Sequence, residues 1–157
     1  MNRRSGTRAV VVGGSIGGAL DLAFALTFAA ANGVGPLQLL QTVASGLLGS
    51  AAYEGGPSAA VLGFAAHFAL SYGWAALFVA AARRMPRVAA RPLLAGILFG
   101  VLVFLAMRLV VLPLSAFPHP VSFKPLAAGL DLLSHMFLFG LPIALAASKA
   151  MSQEESR

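Results

Sequence analysis

Apolar residues form four long stretches along this chain, separated by short segments that contain polar residues, glycine and proline. The stretches cover residues 9–31, 58–82, 93–114 and 126–147. Because the hydrocarbon core of a bilayer is about 30 Å thick, a helix needs about 20 apolar residues to cross it. The pattern predicts an all-α integral membrane protein: a single membrane domain, residues 1–157, built as a four-transmembrane-helix bundle with a cytoplasmic tail at 148–157.

A fifth apolar segment, residues 36–50, is short for a crossing. When it is plotted as a helix, one face is apolar and another carries Gln38, Gln41, Thr42 and Ser45. The segment therefore reads as a short interfacial or re-entrant helix between the first and second transmembrane helices.

The basic residues indicate how the chain is oriented. The composition is 59% hydrophobic and 10% charged, and the net charge is +6. With four crossings, nine basic residues fall on one side of the membrane: Arg3, Arg4, Arg8, Arg83, Arg84, Arg87, Arg91, Lys149 and Arg157. The positive-inside rule then places both termini and the loop at 83–91 in the cytoplasm. A fifth crossing at 36–50 would export that loop. The expected partner of this charge is the lipid bilayer, with no nucleic acid.

The glycine cluster after Ala9-Val10-Val11-Val12 has competing interpretations. It resembles the turn of a dinucleotide-binding domain, but the βαβ context and the acidic residue about 20 positions further on are missing. The basic start followed by Ala29-Ala30-Ala31 also resembles a signal peptide, although its apolar part is long and contains Asp21. We expect a retained membrane helix.

Small residues four positions apart predict where the helices pack closely, since helix association in lipid depends on close backbone approach. Pro142, inside the fourth helix, should kink it and leave the carbonyl near Leu138 in need of another partner. The glycines assigned to packing, within the bundle or between protomers, are Gly13, Gly14, Gly17, Gly18, Gly96, Gly100 and Gly140.

Ionisable residues inside the apolar stretches are expensive and require partners. At 1.5 Å per residue, Asp21, His67 and His135 lie about 15 Å from the outer boundary, and Arg108 and Asp131 about 9 Å. We therefore predict an Arg108–Asp131 ion pair above a cluster of the other three. The full candidate network of buried polar residues is Asp21, His67, Ser71, Arg108, Asp131, Ser134 and His135.

Three interpretations of this network remain open: a structural network between helices, a pathway for a ligand or protons, and a metal site. No ligand pair has a recognised metal spacing, and no nucleophile is followed by an adjacent base. We expect no catalytic residue, no metal, no cofactor and no enzymatic activity. Glu54 either pairs with Lys124 or His119 or faces water.

From about residue 60 to 140 the chain resembles the small bacterial inner-membrane proteins of the YagU type. The residues that carry the likeness are His67, Ser71, Pro86, Gly96, Gly100, Met107, Pro113, Leu114 and His135. The resemblance implies four helices in a bacterial cytoplasmic membrane and no catalytic chemistry.

Taken together, these features predict a multi-pass protein that is a small-solute or proton-linked transport component. The alternative is a non-catalytic accessory or assembly subunit of a larger membrane complex. Because four helices alone enclose a pathway poorly, transport would require a homo-oligomer or a partner membrane subunit.

Overall fold

The computed structural model describes residues 3–121 and 123–155, and every regular element in that part of the chain is helical. The α-helices are α1 (Arg3–Ala31), α2 (Pro36–Leu48), α3 (Gly56–Arg84), α4 (Pro86–Ala90), α5 (Pro92–Ala106), α6 (Leu112–Leu114), α7 (Pro125–Ser134) and α8 (Leu141–Glu155). A 3₁₀ turn, Gly49–Tyr53, follows α2. Two π-helical segments, Met107–Val111 and His135–Gly140, join α5 to α6 and α7 to α8.

Within the described residues, four helices are long and apolar enough to cross a membrane: Arg4–Ala31, Gly56–Arg84, Pro92–Leu114 and Pro125–Gln153. They are named the first to fourth spans below. The prediction of an all-α fold with four such helices is confirmed. The first span begins before residue 9 and the fourth continues beyond 147, because helical structure does not stop where the apolar residues end. Arg157 lies outside the described residues.

The spans bury little of their own surface within the bundle. Only 17% to 33% of the most apolar 18-residue window of each span is buried. Large apolar side chains such as Val61, Leu93 and Leu126 are 61% to 76% exposed. An apolar surface of this extent is typical of helices that cross a membrane.

The first span lies between the second and the fourth, and its two glycine pairs face different neighbours. A methyl group placed on Gly13 or Gly17 would lie 3.0–3.1 Å from the backbone of Ile143 or Phe139 on the fourth span. A methyl group on Gly14 or Gly18 would collide with the Tyr72 ring or the Ser71 hydroxyl on the second span. Glycine at these four positions therefore lets two helices approach the first span at once, within one chain.

The third span packs antiparallel against the fourth through a second glycine contact. A methyl group on Gly96 would lie 2.7 Å from the Leu141 Cα, and one on Gly100 would overlap the backbone of His135 and Met136. Gly140 in turn lies directly against the backbone of Gly96 and Gly100. The third span can thus approach the second π segment as closely as two backbones allow.

The main apolar core occupies one half of the bundle. The end with Arg4, Arg84 and Gln153 is called the arginine end below, and the end with Ala31 and Pro125 the loop end. The main apolar core lies toward the arginine end and consists of Ala9, Ala75, Phe78, Val79, Ala82, Val103, Phe139, Ile143, Ala144 and Ala147. Trp74 and Phe78 contact the ring of Phe99 there, with 6.4 and 4.9 Å between ring centroids.

Both π segments precede a proline. Pro113 and Pro142 have no N–H to donate to the carbonyl one turn earlier, so the regular hydrogen-bond pattern must change near them. The N–H groups of Leu112 and Leu141 bond to the carbonyls of Met107 and Met136, five residues back. The helix accommodates each proline by widening for one turn, where the sequence predicted only a kink at Pro142.

Helix α2 packs on the loop-end part of α3. The Gln41 amide lies 3.2 Å from the Gly56 carbonyl, and Gly63 lies directly against the Leu40 carbonyl. The Ala116 N–H donates to the Gly46 carbonyl (2.9 Å), which ties α2 to the segment after the third span. Residues 36–48 thus form one helix that joins two parts of the loop end.

Candidate functional site

The shortest ion pair among the described residues joins the third span to the fourth. Arg108 donates from Nη2 and Nε to Oδ2 of Asp131, at 2.8 and 3.2 Å. The guanidinium carbon also lies 5.0 Å from the Phe104 ring centroid and 5.3 Å from that of Phe123. Two aromatic faces and a carboxylate therefore hold the arginine head group in place.

His135 contacts the same aspartate from one turn further along the helix. Its Nδ1 lies 2.9 Å from the Asp131 carbonyl oxygen and 3.2 Å from Asp131 Oδ1. Both atoms are acceptors, so Nδ1 carries a hydrogen and donates it. A neutral His135 therefore has its lone pair on Nε2.

Asp21 brings the first span into this group. Its Oδ1 accepts a hydrogen bond from the Ser134 hydroxyl at 2.8 Å and lies 3.9 Å from His135 Nδ1. The polar network is defined as Asp21, Arg108, Asp131, Ser134 and His135. These side chains form a continuous series of contacts across the first, third and fourth spans, in the half of the bundle nearer the loop end.

The structure does not bring His67 or Ser71 into the polar network. His67 Nε2 donates to the Gly18 carbonyl at 2.9 Å, and the Ser71 hydroxyl donates to the Gly14 carbonyl at 2.7 Å. Counting residues along the helix placed His67 at the depth of Asp21 and His135, but it could not show which way around the helix the His67 side chain points. These side chains tie the second span to the glycine face of the first.

The interpretation of the histidines as buried is wrong. His67 and His135 are only half-buried, and His119 is exposed. His135 keeps 14% of its side-chain surface accessible even between two carboxylates. The physical reason is the small size of the bundle: each span has too few neighbours to enclose a ring on all sides. Of the predicted polar residues, Ser71 and Ser134 are fully buried.

Several features of the site were not apparent from the sequence. The π segments begin at Met107 and His135, so Arg108 and His135 both lie on widened turns, which occur often at functional sites. Pro113 and Pro142 were the features of the sequence that could have indicated these widened turns. The contact of Phe104 with Arg108 could have been predicted, because the two residues are four positions apart on one helix. The contact of Phe123 with Arg108 had no signal in the spacing.

The remaining candidate groups lie apart from the network. Across residues 3–121 and 123–155, no three histidine, aspartate or glutamate side chains are grouped as a metal site requires. Glu54 is exposed and makes no ion pair with Lys124 within the same ranges. His119 stacks near the rings of Phe117 and Tyr53, at 5.6 and 6.0 Å between centroids.

The chain matches no protein-family model, no curated protein and no solved structure. The resemblance to YagU-type proteins therefore stays a prediction, and the argument for function depends on the site alone.

Proposed function

We propose that this chain is a multi-pass protein of a bacterial cytoplasmic membrane and a small-solute or proton-linked transport component. In this proposal both termini and the loop at 83–91 are cytoplasmic, α2 lies at or dips into the outer surface, and the surrounding partner is lipid. The proposal is supported by the four apolar spans and by the segregation of basic residues toward one end.

The observation that carries the transport proposal is the polar network. Ionisable groups inside an apolar span are costly, and where they occur they commonly line ion or proton pathways. Here one imidazole nitrogen, Nδ1 of His135, lies 3.2 Å from the Asp131 carboxylate and 3.9 Å from the Asp21 carboxylate, which belong to different spans. Histidine changes charge near neutral pH, so such an arrangement is suited to accept and release protons.

The geometry of the bundle bears on the oligomeric state. Toward the arginine end, apolar side chains such as Phe78, Phe139 and Ile143 are buried between the spans. A pathway that begins at the polar network must therefore continue along the surface of the bundle or open by a movement of the helices. Assembly of several copies would enclose that surface, so we propose that the transporting form is a homo-oligomer.

Flux measurements in proteoliposomes test the proposal. Wild-type protein should dissipate an imposed pH gradient faster than empty liposomes, and His135→Ala should remove that difference. His119→Ala is the matched control, because this histidine is exposed in the loop after the third span. Circular dichroism and gel filtration verify that each variant is folded. Equal fluxes in wild-type and empty liposomes, or an unaffected His135→Ala variant, would contradict the proposal.

The apolar core favours a second candidate function, an accessory or assembly subunit of a larger membrane complex. A subunit of this kind needs lipid-exposed helices and a structural polar network but no route through the bundle. It predicts no flux from the pure protein and a partner membrane protein that co-purifies at fixed ratio in mild detergent. Mass spectrometry of the purified complex decides between the two candidates.

A further inference from the structure

We infer that His135 holds one exchangeable proton per chain, with Asp21 as the counter-charge that makes this proton necessary. The inference rests on the proposed transport function and specifies where in the polar network a proton is bound. It follows from the count of charges in the network and from the contacts that each charged group makes.

The charges of the polar network do not balance while the imidazole is neutral. The network contains one guanidinium, that of Arg108, and two carboxylates, those of Asp131 and Asp21. The network then has one excess negative charge within an apolar span, where an uncompensated charge is strongly unfavourable. Binding of a single proton makes the network neutral.

The distances show which carboxylate lacks compensation. Asp131 Oδ2 accepts hydrogen bonds from Nη2 and Nε of Arg108, at 2.8 and 3.2 Å, so these two groups form a neutral pair. Asp21 receives only a hydroxyl hydrogen bond from Ser134, and its ion-pair partner among the described residues is His135. The excess charge therefore resides on Asp21.

Groups from every span near His135 agree with this assignment. The first span presents Asp21, the third presents Arg108 on the far side of Asp131, and the fourth presents Asp131 itself. His67 on the second span lies outside the polar network and donates its ring hydrogen to the Gly18 carbonyl. A proton taken up by these groups goes to the imidazole rather than to a carboxylate, because imidazole is the stronger base, and His135 is the imidazole that lies beside both aspartates.

The proton step is simple. Loading forms an N–H bond at Nε2 of His135 with a proton from water, and the ring becomes an imidazolium whose Nδ1–H points at the two aspartates. Release breaks the Nε2–H bond, the electron pair stays on the ring, and the proton returns to water. The Nδ1–H keeps its bond to the Asp131 carbonyl throughout.

Nuclear magnetic resonance of isotope-labelled histidine, with the protein in lipid nanodiscs, tests the inference without any flux. The signal of His135 is assigned by its loss in His135→Gln. At near-neutral pH it should be that of an imidazolium in the wild type and of a neutral ring in Asp21→Asn. Ser134→Ala is the matched control: it removes a hydrogen bond to Asp21 but no charge, and His135 should remain an imidazolium.

A second variant covers the case in which Asp21→Asn does not fold. The double variant Arg108→Leu/Asp131→Leu deletes the neutral pair, and His135 should still be an imidazolium beside Asp21. A neutral His135 in the wild type, or an imidazolium that persists in folded Asp21→Asn, would overturn the inference. Absence of flux from wild-type liposomes would overturn the proposed function alone, because the resonance measurement does not depend on transport.

Discussion

At the scale of single residues, the polar side chains inside the spans divide into two groups by the kind of partner they have. The polar network pairs side chains with one another, whereas His67 and Ser71 bond to backbone carbonyls of the first span. Glycine explains the second group, because Gly14 and Gly18 leave their helix face open for a neighbouring side chain to reach the carbonyl oxygens. A mutation in one group should thus have a different effect from a mutation in the other.

The first prediction concerns the ion pair. Arg108→Leu leaves the Asp131 carboxylate without its cation in an apolar span, and we expect it to lower the free energy of unfolding by about 3–5 kcal/mol. The double variant Arg108→Leu/Asp131→Leu removes both charges and should lie much closer to the wild type. Thermal unfolding in detergent, analysed as a double-mutant cycle with Asp131→Leu, measures the coupling. Additive effects of the two single substitutions would contradict the ion pair.

The second prediction concerns the carbonyl-bonded group. Ser71→Ala replaces the hydroxyl with a hydrogen atom and so removes the hydrogen bond to the Gly14 carbonyl. Interhelical hydrogen bonds in membranes contribute about 0.6 kcal/mol on average, so a loss of about that size is expected in the same unfolding assay. His135 should keep its charge state in this variant, since Ser71 has no contact with the polar network.

Depth along a helix could be counted from the sequence, but direction around it could not. Counting residues from the helix ends placed Arg108 level with Asp131, and the structure brings these two together. The same counting placed His67 level with Asp21, yet the ring turns to the Gly18 carbonyl. Direction depends on which faces of two helices meet, and this is decided by packing of the whole bundle.

At the scale of helices, the two prolines set the local geometry of the site. The sequence predicted a change at Pro142, because a missing N–H always frees a carbonyl. The sequence did not predict a π turn at this proline. The helix could instead have formed an open kink, and which of the two forms depends on the neighbouring helix. The neighbouring helix is close at this point, because Gly100 has no side chain and the third span lies against the carbonyl of His135.

The third prediction follows from that contact. A methyl group in Gly100→Ala would overlap the His135 carbonyl and the Met136 Cα, so the third span must move away from the fourth. We expect a clear loss of thermal stability and of the Arg108–Asp131 coupling. Gly129→Ala is the control, because nothing lies within 4 Å of a methyl group there. Equal behaviour of the two variants would show that the spans do not approach at Gly100.

The fourth prediction concerns the attachment of α2. A methyl group in Gly63→Ala would overlap the Leu40 carbonyl, whereas Gly73→Ala on the same helix has open space. We expect Gly63→Ala to release α2 from α3 and to speed proteolysis or hydrogen exchange of residues 36–48. Gly73→Ala should leave both unchanged. Identical exchange in the two variants would mean that α2 is not held at this position.

At the scale of the whole molecule, length and hydropathy were sufficient to predict four spans, because lipid allows only backbone structures that satisfy their own hydrogen bonds. The position of the main apolar core toward the arginine end was not predicted. It depends on residues of all four spans, such as Phe78 and Phe139, packing together, and no local pattern carries that information.

The orientation in the membrane is the last prediction, and the chain is well suited to test it because it contains no cysteine. Single cysteines at the exposed positions Arg87, Ser152 and Glu54 would each report the side on which they lie. With four crossings and the arginine end in the cytoplasm, a membrane-impermeant maleimide should label Glu54→Cys in intact cells. Arg87→Cys and Ser152→Cys should react only after permeabilisation, which also serves as the control for reactivity. If Arg87→Cys and Ser152→Cys were labelled from opposite sides, the third and fourth spans would not both cross. Arg108 and Asp131 would then lie at unequal depths, and a network that depends on their meeting within one bilayer could not form.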